Sequence, residues 1–455
     1  MGPPRESGPA PATMETYFHE LAAIIDGLVL GGETALCGFS GEHSDFVRMN
    51  RGRVRQPGTV TQHYLDVELI LGARHATTRL SLAGHPDADR APIRAAVARL
   101  REALPDLADD PHLLYATDVR ASSAARGGPL PPAEAVVDSV LAGADGLDLV
   151  GLYAAGPVYR GFANSLGQRN WHEATSFNLQ WSLYHHADKA VKAALAGFEW
   201  DEAALAARMQ KAKDELAHVA RPAKRLEPGR YRAFLAPPAV EDVVSMLCWG
   251  GFSARALETK QSSLTKMRGN GERVRVDPSV TITEATADGV APGFQGDGFV
   301  RPARVPLIER GELVGALCSP RTAREFSLAT NGANAYEAPE SIAMAGGALS
   351  ARDALAALGT GLYIGNLHYL NYSDRPACRL TGMTRFATFW VEGGKIVAPV
   401  DVLRFDDTFF RMFGANLEAL TAETELLLAS DTYRERQLAS MNLPGALLSE
   451  LTFTL

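Results

Sequence analysis

A charged, proline-containing stretch, Arg221-Pro222-Ala223-Lys224-Arg225-Leu226-Glu227-Pro228-Gly229, divides the chain into halves of different rhythm. Proline fixes φ and lacks a backbone donor, so neither a helix nor a central strand runs through such a stretch. Before it, patterns of helical period alternate with long patterns of period two. After it, short apolar runs are separated by Gly, Pro and Asp. With 455 residues there is chain enough for two large domains, each with its own core. The reading is an α+β protein of two domains. Residues 14–220 form an N-terminal domain of sheet and helices, 221–229 a connector, and 230–455 a strand-rich, barrel-like C-terminal domain with packed helices. Residues 1–13 are rich in Pro, Gly and Ala without an apolar run, and read as a disordered tail, not a signal peptide.

In the first half, residues 17–30 place Leu21, Ile24, Ile25 and Leu28 on one helical face, and Gly31-Gly32 end it. Residues 34–39, 44–50 and 62–71 read as strands; in the last, apolar and polar positions alternate as a half-buried strand requires. Met49-Asn50-Arg51-Gly52-Arg53 has hairpin-turn chemistry. Helices are expected at 91–104 and 132–144, paired strands at 149–163 and 173–183, and a long helix at 188–220. In the second half a strand at 231–235 runs into Pro237-Pro238 and a helix at 239–249. Short strands follow at 280–284, 305–309, 313–317, 362–369, 387–391 and 395–399, with turns at 309–312 and 392–395. Residues 350–358 read as a short helix with Ser350 as its N-cap.

Net charge is −8, which gives no support for a nucleic-acid partner, since such a partner needs a basic face. No apolar run approaches the 18 or so residues that would cross a bilayer. Cys37, Cys248, Cys318 and Cys378 are scattered and read as buried thiols of a reducing cytoplasm. A helix-borne zinc site needs two histidines on one face and a glutamate beside the first. His19-Glu20 and His172-Glu173 begin such a pattern, but Ala23-Ile24 and Ser176-Phe177 fill the second ligand's positions. The adjacent His185 and His186 diverge in any regular structure. Gly251-Phe252-Ser253-Ala254-Arg255 falls short of a nucleophile elbow, and Gly359–Gly365 precedes a strand where a dinucleotide loop needs a helix. Residues 362–389 carry a dense set of polar and aromatic side chains between two apolar strands. Such a mixture suits either a groove for a polar chain or a solvated loop with anchoring aromatics.

Several segments together resemble one family. Phe46-Val47-Arg48-Met49-Asn50-Arg51-Gly52-Arg53 is similar to the early hairpin of the TldD/TldE (PmbA) proteins, historically called modulators of DNA gyrase. Gly293-Phe294-Gln295-Gly296-Asp297-Gly298 resembles their acidic turn, and Pro306–Leu313 the hairpin that follows. Ala329-Thr330-Asn331-Gly332-Ala333-Asn334 and Leu380–Ile396 resemble a later loop and hairpin, all in the family's order. Where TldD subunits carry His-Glu-x-x-x-His, this chain has Phe234-Leu235-Ala236-Pro237-Pro238-Ala239-Val240-Glu241, as on the TldE side.

The resemblance implies a zinc-less, TldE-like cytoplasmic subunit, non-catalytic alone, with no metal or cofactor of its own. Its partner would be a TldD-like subunit that brings zinc, in a heterodimer or larger complex. The complex would bind and proteolyse an extended peptide, as in peptide maturation, with no nucleic acid or membrane partner. Residues expected to line the cleft or interface are Asp297, Asn331 and Asn334 toward a peptide backbone, His368 and Tyr369 toward side chains, and Arg385 toward a carboxylate. Two other readings stand beside this one: a lone zinc peptidase assembled from His172, His185, His186, His368 and Cys378, and a non-enzymatic modulator. Phe386-Ala387 departs from the glycine of many members, and Arg169–His172 and His185-His186 have no family role.

Overall fold

The computed structural model describes residues 13–187, 189–268 and 273–454. Residues 1–12, most of the expected tail, lie outside that set. Thr13 belongs to the first helix as its N-cap, its hydroxyl accepting from the Thr16 N–H at 3.1 Å. Helix α1 (Met14–Asp26) buries Phe18, Leu21 and Ile25 and is capped by Gly27. Strands β1 (Glu33–Asn50) and β2 (Arg53–Leu71) form a long antiparallel hairpin. Its turn places Arg51 and Gly52 at positive φ, the geometry that matches strand twist in two-residue hairpins. The two shorter strands expected in 34–50 are therefore one.

β3 (Arg74–Ser81), α2 (Pro86–Ala103), β4 (Ser122–Arg126) and α3 (Ala133–Gly143) follow, then β5 (Asp148–Asn164) and β6 (Arg169–His186), which pair antiparallel. The helix expected over 188–220 is two elements. Asp188 is outside the described residues; β7 (Lys189–Gly197) pairs with β6, and helix α4 (Glu202–Val219) begins only where Asp201 caps the Ala203 and Ala204 N–H groups. Pairing along β6 overrides the helical propensity of an alanine-rich run. The first sheet runs β3-β2-β1-β5-β6-β4, with β7 also on β6.

The second sheet begins with β8 (Gly229–Leu235), which leads into helix α5 (Pro237–Leu247) and the short α6 (Ala254–Glu258). β9 (Ile282–Glu284), β10 (Val305–Glu309), β11 (Glu312–Leu313), α7 (Pro320–Phe326), β12 (Ser341–Met344) and α8 (Ala354–Leu358) form its outer part. Ser350 precedes the 3-10 turn before α8 but makes no side-chain cap bond. β13 (Gly361–Asp374), β14 (Arg379–Glu392), β15 (Lys395–Pro399), β16 (Arg404–Thr408), β17 (Leu417–Leu428) and β18 (Ser440–Phe453) complete it. The order is β11-β10-β9-β12-β18-β16-β14-β13-β8, and β18 also pairs with β8. That last pairing closes β8, β13, β14, β16 and β18 into a ring, the barrel-like part of an α+β fold.

One apolar core lies inside the second sheet, built on Val240, Val244, Leu362, Phe405 and Phe413. Another joins the two sheets: Tyr153, Trp181, Leu205 and Met209 pack with Phe234, Tyr363 and Phe389. Each large side chain so buried contributes about 1.5–3 kcal/mol. A polar clamp adds to this contact. Arg436, 6% exposed, reaches from the β17–β18 connection into the first sheet. Its guanidinium donates to the carbonyls of Gly156 (2.8 Å) and Ser176 (2.9 Å) and to the Ser176 hydroxyl (2.8 Å). Among the described residues no helix is long and apolar enough to cross a membrane.

Candidate functional site

Where the two sheets meet, a groove of about 470 Å³ opens between edge strands. β4 and β7 share one side of β6, at successive stretches, and among the described residues the far edge of β7 carries no strand. β17 pairs with β18 on one side, and on its other edge residues 347–349 bond only its first half, at 420–422, so that among the described residues the stretch 424–428 carries no strand there. Lys192–Ala196 of β7 and Thr424–Leu428 of β17 face the groove, and the small side chains of Ala193, Ala194 and Ala196 keep it open. Exposed edges of this kind leave unpaired backbone donors and acceptors. Asn178 on β6 ties the two sheets at one end of the groove, its amide donating to the Leu428 carbonyl at 3.0 Å.

Helix α5 forms the groove's floor. Prolines at its first positions cost it no hydrogen bond. One face, with Ala239, Val240, Val243, Val244 and Leu247, is buried in the core. The other, with Pro238, Glu241, Asp242 and Ser245, faces the groove at the i, i+3, i+4, i+7 spacing of a single helix face. Asp242 accepts from the Leu367 N–H at 2.9 Å and so holds β13 against the helix. The β13–β14 pairing is bulged on both sides of that bond. Tyr369 (φ 59°) and Phe386 (φ 56°) take left-handed backbone there and line the groove, a conformation that costs a non-glycine residue on the order of 1 kcal/mol.

The groove's charges are unevenly matched. Arg208 of α4 pairs with Glu425 of β17 at 2.9 Å. Burial, and then the neighbouring Asp242 charge, push the Glu241 carboxyl up to about 7, against the pull of Lys192. Burial raises Asp242 to about 6, opposed by the Leu367 hydrogen bond and Lys192. His368 is held below its ordinary value by desolvation and then by Arg385 and Lys192. Two carboxyls that take up protons near neutrality thus stand in a cleft between open strand edges, the surroundings in which perturbed groups mark functional sites.

The residues expected from the sequence separate here. His368 and Tyr369 line the groove. Arg385 is the register partner of Asn366 and lies with its guanidinium 5.3 Å from the Phe386 ring centroid, beside the rim. Asp297, Asn331 and Asn334 are elsewhere, in turns that they hold together. The Asp297 carboxylate accepts from Gln295 at 3.0 Å, and its carbonyl from the Ala116 N–H at 2.8 Å. Asn331 bridges the Cys318 N–H (2.9 Å) and the Ala316 carbonyl (2.8 Å). Asn334 binds the Tyr336 and Ala338 backbone at 2.8–3.2 Å. Lys192, Glu241, Asp242 and the edges of β7 and β17 escaped sequence reasoning. The one sequence signal was the acidic pair Glu241-Asp242, following two prolines in an otherwise apolar helix.

Zinc does not fit this floor. The groove face of α5 offers proline, serine and two adjacent carboxyls that diverge by about 100° around the helix, with no histidine. His172 is buried with Nε2 2.8 Å from the Val290 carbonyl, Cys378 is enclosed in the second-sheet core, and His368 is exposed. Among the described residues no three His, Cys, Asp or Glu side chains stand together as a metal site.

Residues 228–455 match the family model of the PmbA/TldA metallopeptidase C-terminal domain. No curated protein sequence matches the chain. Among solved structures, TldE from Thermococcus kodakarensis is similar with a TM-score of 0.77 at 12% identity, over 96% of this chain and 100% of that one. A Thermotoga maritima protein described as a modulator of a DNA gyrase gives 0.73 at 12%, over 97% and 100%. A Bacteroides thetaiotaomicron protein described likewise gives 0.71 at 14%, over 97% and 99%. At such identities the likeness is one of fold.

Proposed function

Because the chain belongs to the PmbA/TldA metallopeptidase family, we propose that it is the zinc-less subunit of a heteromeric peptidase, and that its groove holds an extended peptide for a zinc-bearing TldD-like partner. The observation that carries this reading is helix α5. It sits on the groove floor with Pro238, Glu241, Asp242 and Ser245 toward the cavity, where hydrolysis at this helix would need histidine ligands. The hydrolytic centre is then the partner's, and this chain acts on the position of the peptide. The open edge of β7 and the open stretch 424–428 of β17 suit that role, because strand addition grips any peptide backbone without reading its side chains. Glu241 and Asp242 would present a protonated or charged face to the peptide according to pH.

Zinc content and peptide hydrolysis, measured on the chain alone and after co-purification with a TldD-like subunit, test the reading. The expected result is an inert chain without stoichiometric zinc and a complex that holds zinc and cleaves. Cleavage by the chain alone with one bound zinc would overturn it.

A further inference from the structure

We propose that a second cavity, beside α4, is a further peptide subsite that takes the apolar flank of a peptide whose other half lies in the groove; this rests on the groove being a peptide cleft. The cavity is also about 470 Å³. It adjoins the groove, for Arg208, Thr424 and Glu425 line both. The Arg208–Glu425 ion pair, 2.9 Å long, therefore stands at the junction, one partner on the helix that packs on the first sheet and the other on the second sheet.

Helix α4 gives the subsite its length. Leu205, Met209, Ala212, Leu216 and Val219 bury one face against the core. The face beside it, about 100° around the helix, turns Arg208, Lys211, Glu215 and His218 to the cavity. From 208 to 218 the helix rises about 15 Å, the span of four to five residues of extended peptide. The groove stretch of β7, 192–196, spans about 13 Å, another four residues. A peptide of about nine residues would fill both.

The chemistry of the cavity selects an apolar flank. The lysine and arginine that α4 turns to the cavity are already committed: Lys211 Nζ lies 3.3 Å from the Tyr363 hydroxyl and 3.8 Å from Glu215, and Arg208 is held by Glu425. Most of the facing wall is Phe234, Pro237, Leu355, Tyr363 and Ile396, with the rings of Phe234 and Tyr363 stacked at 5.9 Å; Arg352 and Glu423 stand beside it, Glu423 already accepting from the Ala351 N–H at 2.8 Å. Such a wall gains by covering hydrocarbon and offers a polar flank little.

The test is fluorescence anisotropy on the full chain, alone and in complex with its TldD-like partner. The probes are labelled peptides: the pentamer Gly-Ser-Ala-Ser-Gly, and decamers that extend it at either end with Leu-Phe-Leu-Ala-Leu or with Ser-Gly-Ser-Ala-Ser. One apolar decamer should bind about tenfold more tightly than its polar counterpart. Leu355→Asp, and independently Ile396→Asp, should abolish that increment while the pentamer binds as before, which also reports that the variants fold. Equal affinity of apolar and polar decamers, with the pentamer bound, would overturn the subsite and leave the cleft reading intact. An increment that survives both substitutions would also overturn it. Failure of every peptide to bind would overturn both.

Discussion

Replacing Glu241 by Gln should stabilise the protein at alkaline pH and do little at acid pH. The carboxyl's ordinary value is 4.5, and burial with the Asp242 charge raises it to about 7. A group whose folded pKa is raised binds its proton more tightly when folded, so the native state loses stability as pH rises from about 4.5 to 7 and stays penalised above that. At about 1.4 kcal/mol per pH unit the full interval corresponds to roughly 3 kcal/mol. Glu241 is only half-buried, and solvent screening brings the expected gain for Glu241→Gln down to about 1–2 kcal/mol at pH 8. The glutamine keeps the side chain's shape, so packing changes little. Urea unfolding of wild type and variant at pH 5 and pH 8 reads the effect as a difference in midpoint. The gain should appear at pH 8 and shrink to a few tenths of a kcal/mol at pH 5. Equal stability changes at the two pH values, or a loss at pH 8, would refute the reasoning. A confirmed gain would mean that the wild-type protein retains a carboxylate on the groove floor at a cost, as a substrate-facing group would be retained.

Two further substitutions probe the buried polar frame, one between the two sheets and one at the starts of α6 and α7. Arg436→Met should cost about 3 kcal/mol, because the Gly156 and Ser176 carbonyls lose a charged donor in a buried place, and the loss should appear as a lower urea midpoint; an unchanged midpoint would show that the clamp holds nothing. Glu337 is buried, which opposes its charge, yet bonds from Ser253, the Ser319 N–H, Thr322 and the Arg255 N–H hold its pKa below 4.5. A depressed folded pKa stabilises above the unfolded value and is lost as pH falls through the folded one. Glu337→Gln should therefore cost about 2 kcal/mol at pH 7 and less below pH 4, a difference that denaturation at the two pH values would measure.

Much of the fold was readable because local chemistry and tertiary context agree. The turns at Arg310-Gly311 and Gly393-Gly394 carry positive φ as their residues demand, and α5 starts at its prolines. Where they disagree, the reading failed. Lys189–Gly197 is rich in alanine and favours a helix in isolation, yet the pairing offered by β6 makes it a strand. β16, β17 and β18 went unread because Leu417–Leu428 and Ser440–Phe453 mix leucine, glutamate and alanine without clean alternation. The groove was less legible still. Lys192, Glu241, His368 and Glu425 come from four segments far apart in sequence, and periodicity reports only on neighbours along one element. Asn331 and Asn334 looked functional because side chains that hold a turn and side chains that hold a ligand are the same types.

The position of β18 bears on how the protein is made. This strand pairs with β8, β12, β16 and β17, elements spread from residue 229 to 428. It is also the last of them to leave the ribosome. Until residues 440–453 emerge, β8 and β12 lack a neighbour and the ring of strands stands open, with apolar Leu235 and Phe405 uncovered. A nascent chain of this kind carries unpaired strand edges from the emergence of β8 until that of β18, the state in which aggregation competes with folding. Its yield should therefore respond to chaperone supply and translation speed more than its finished stability would suggest.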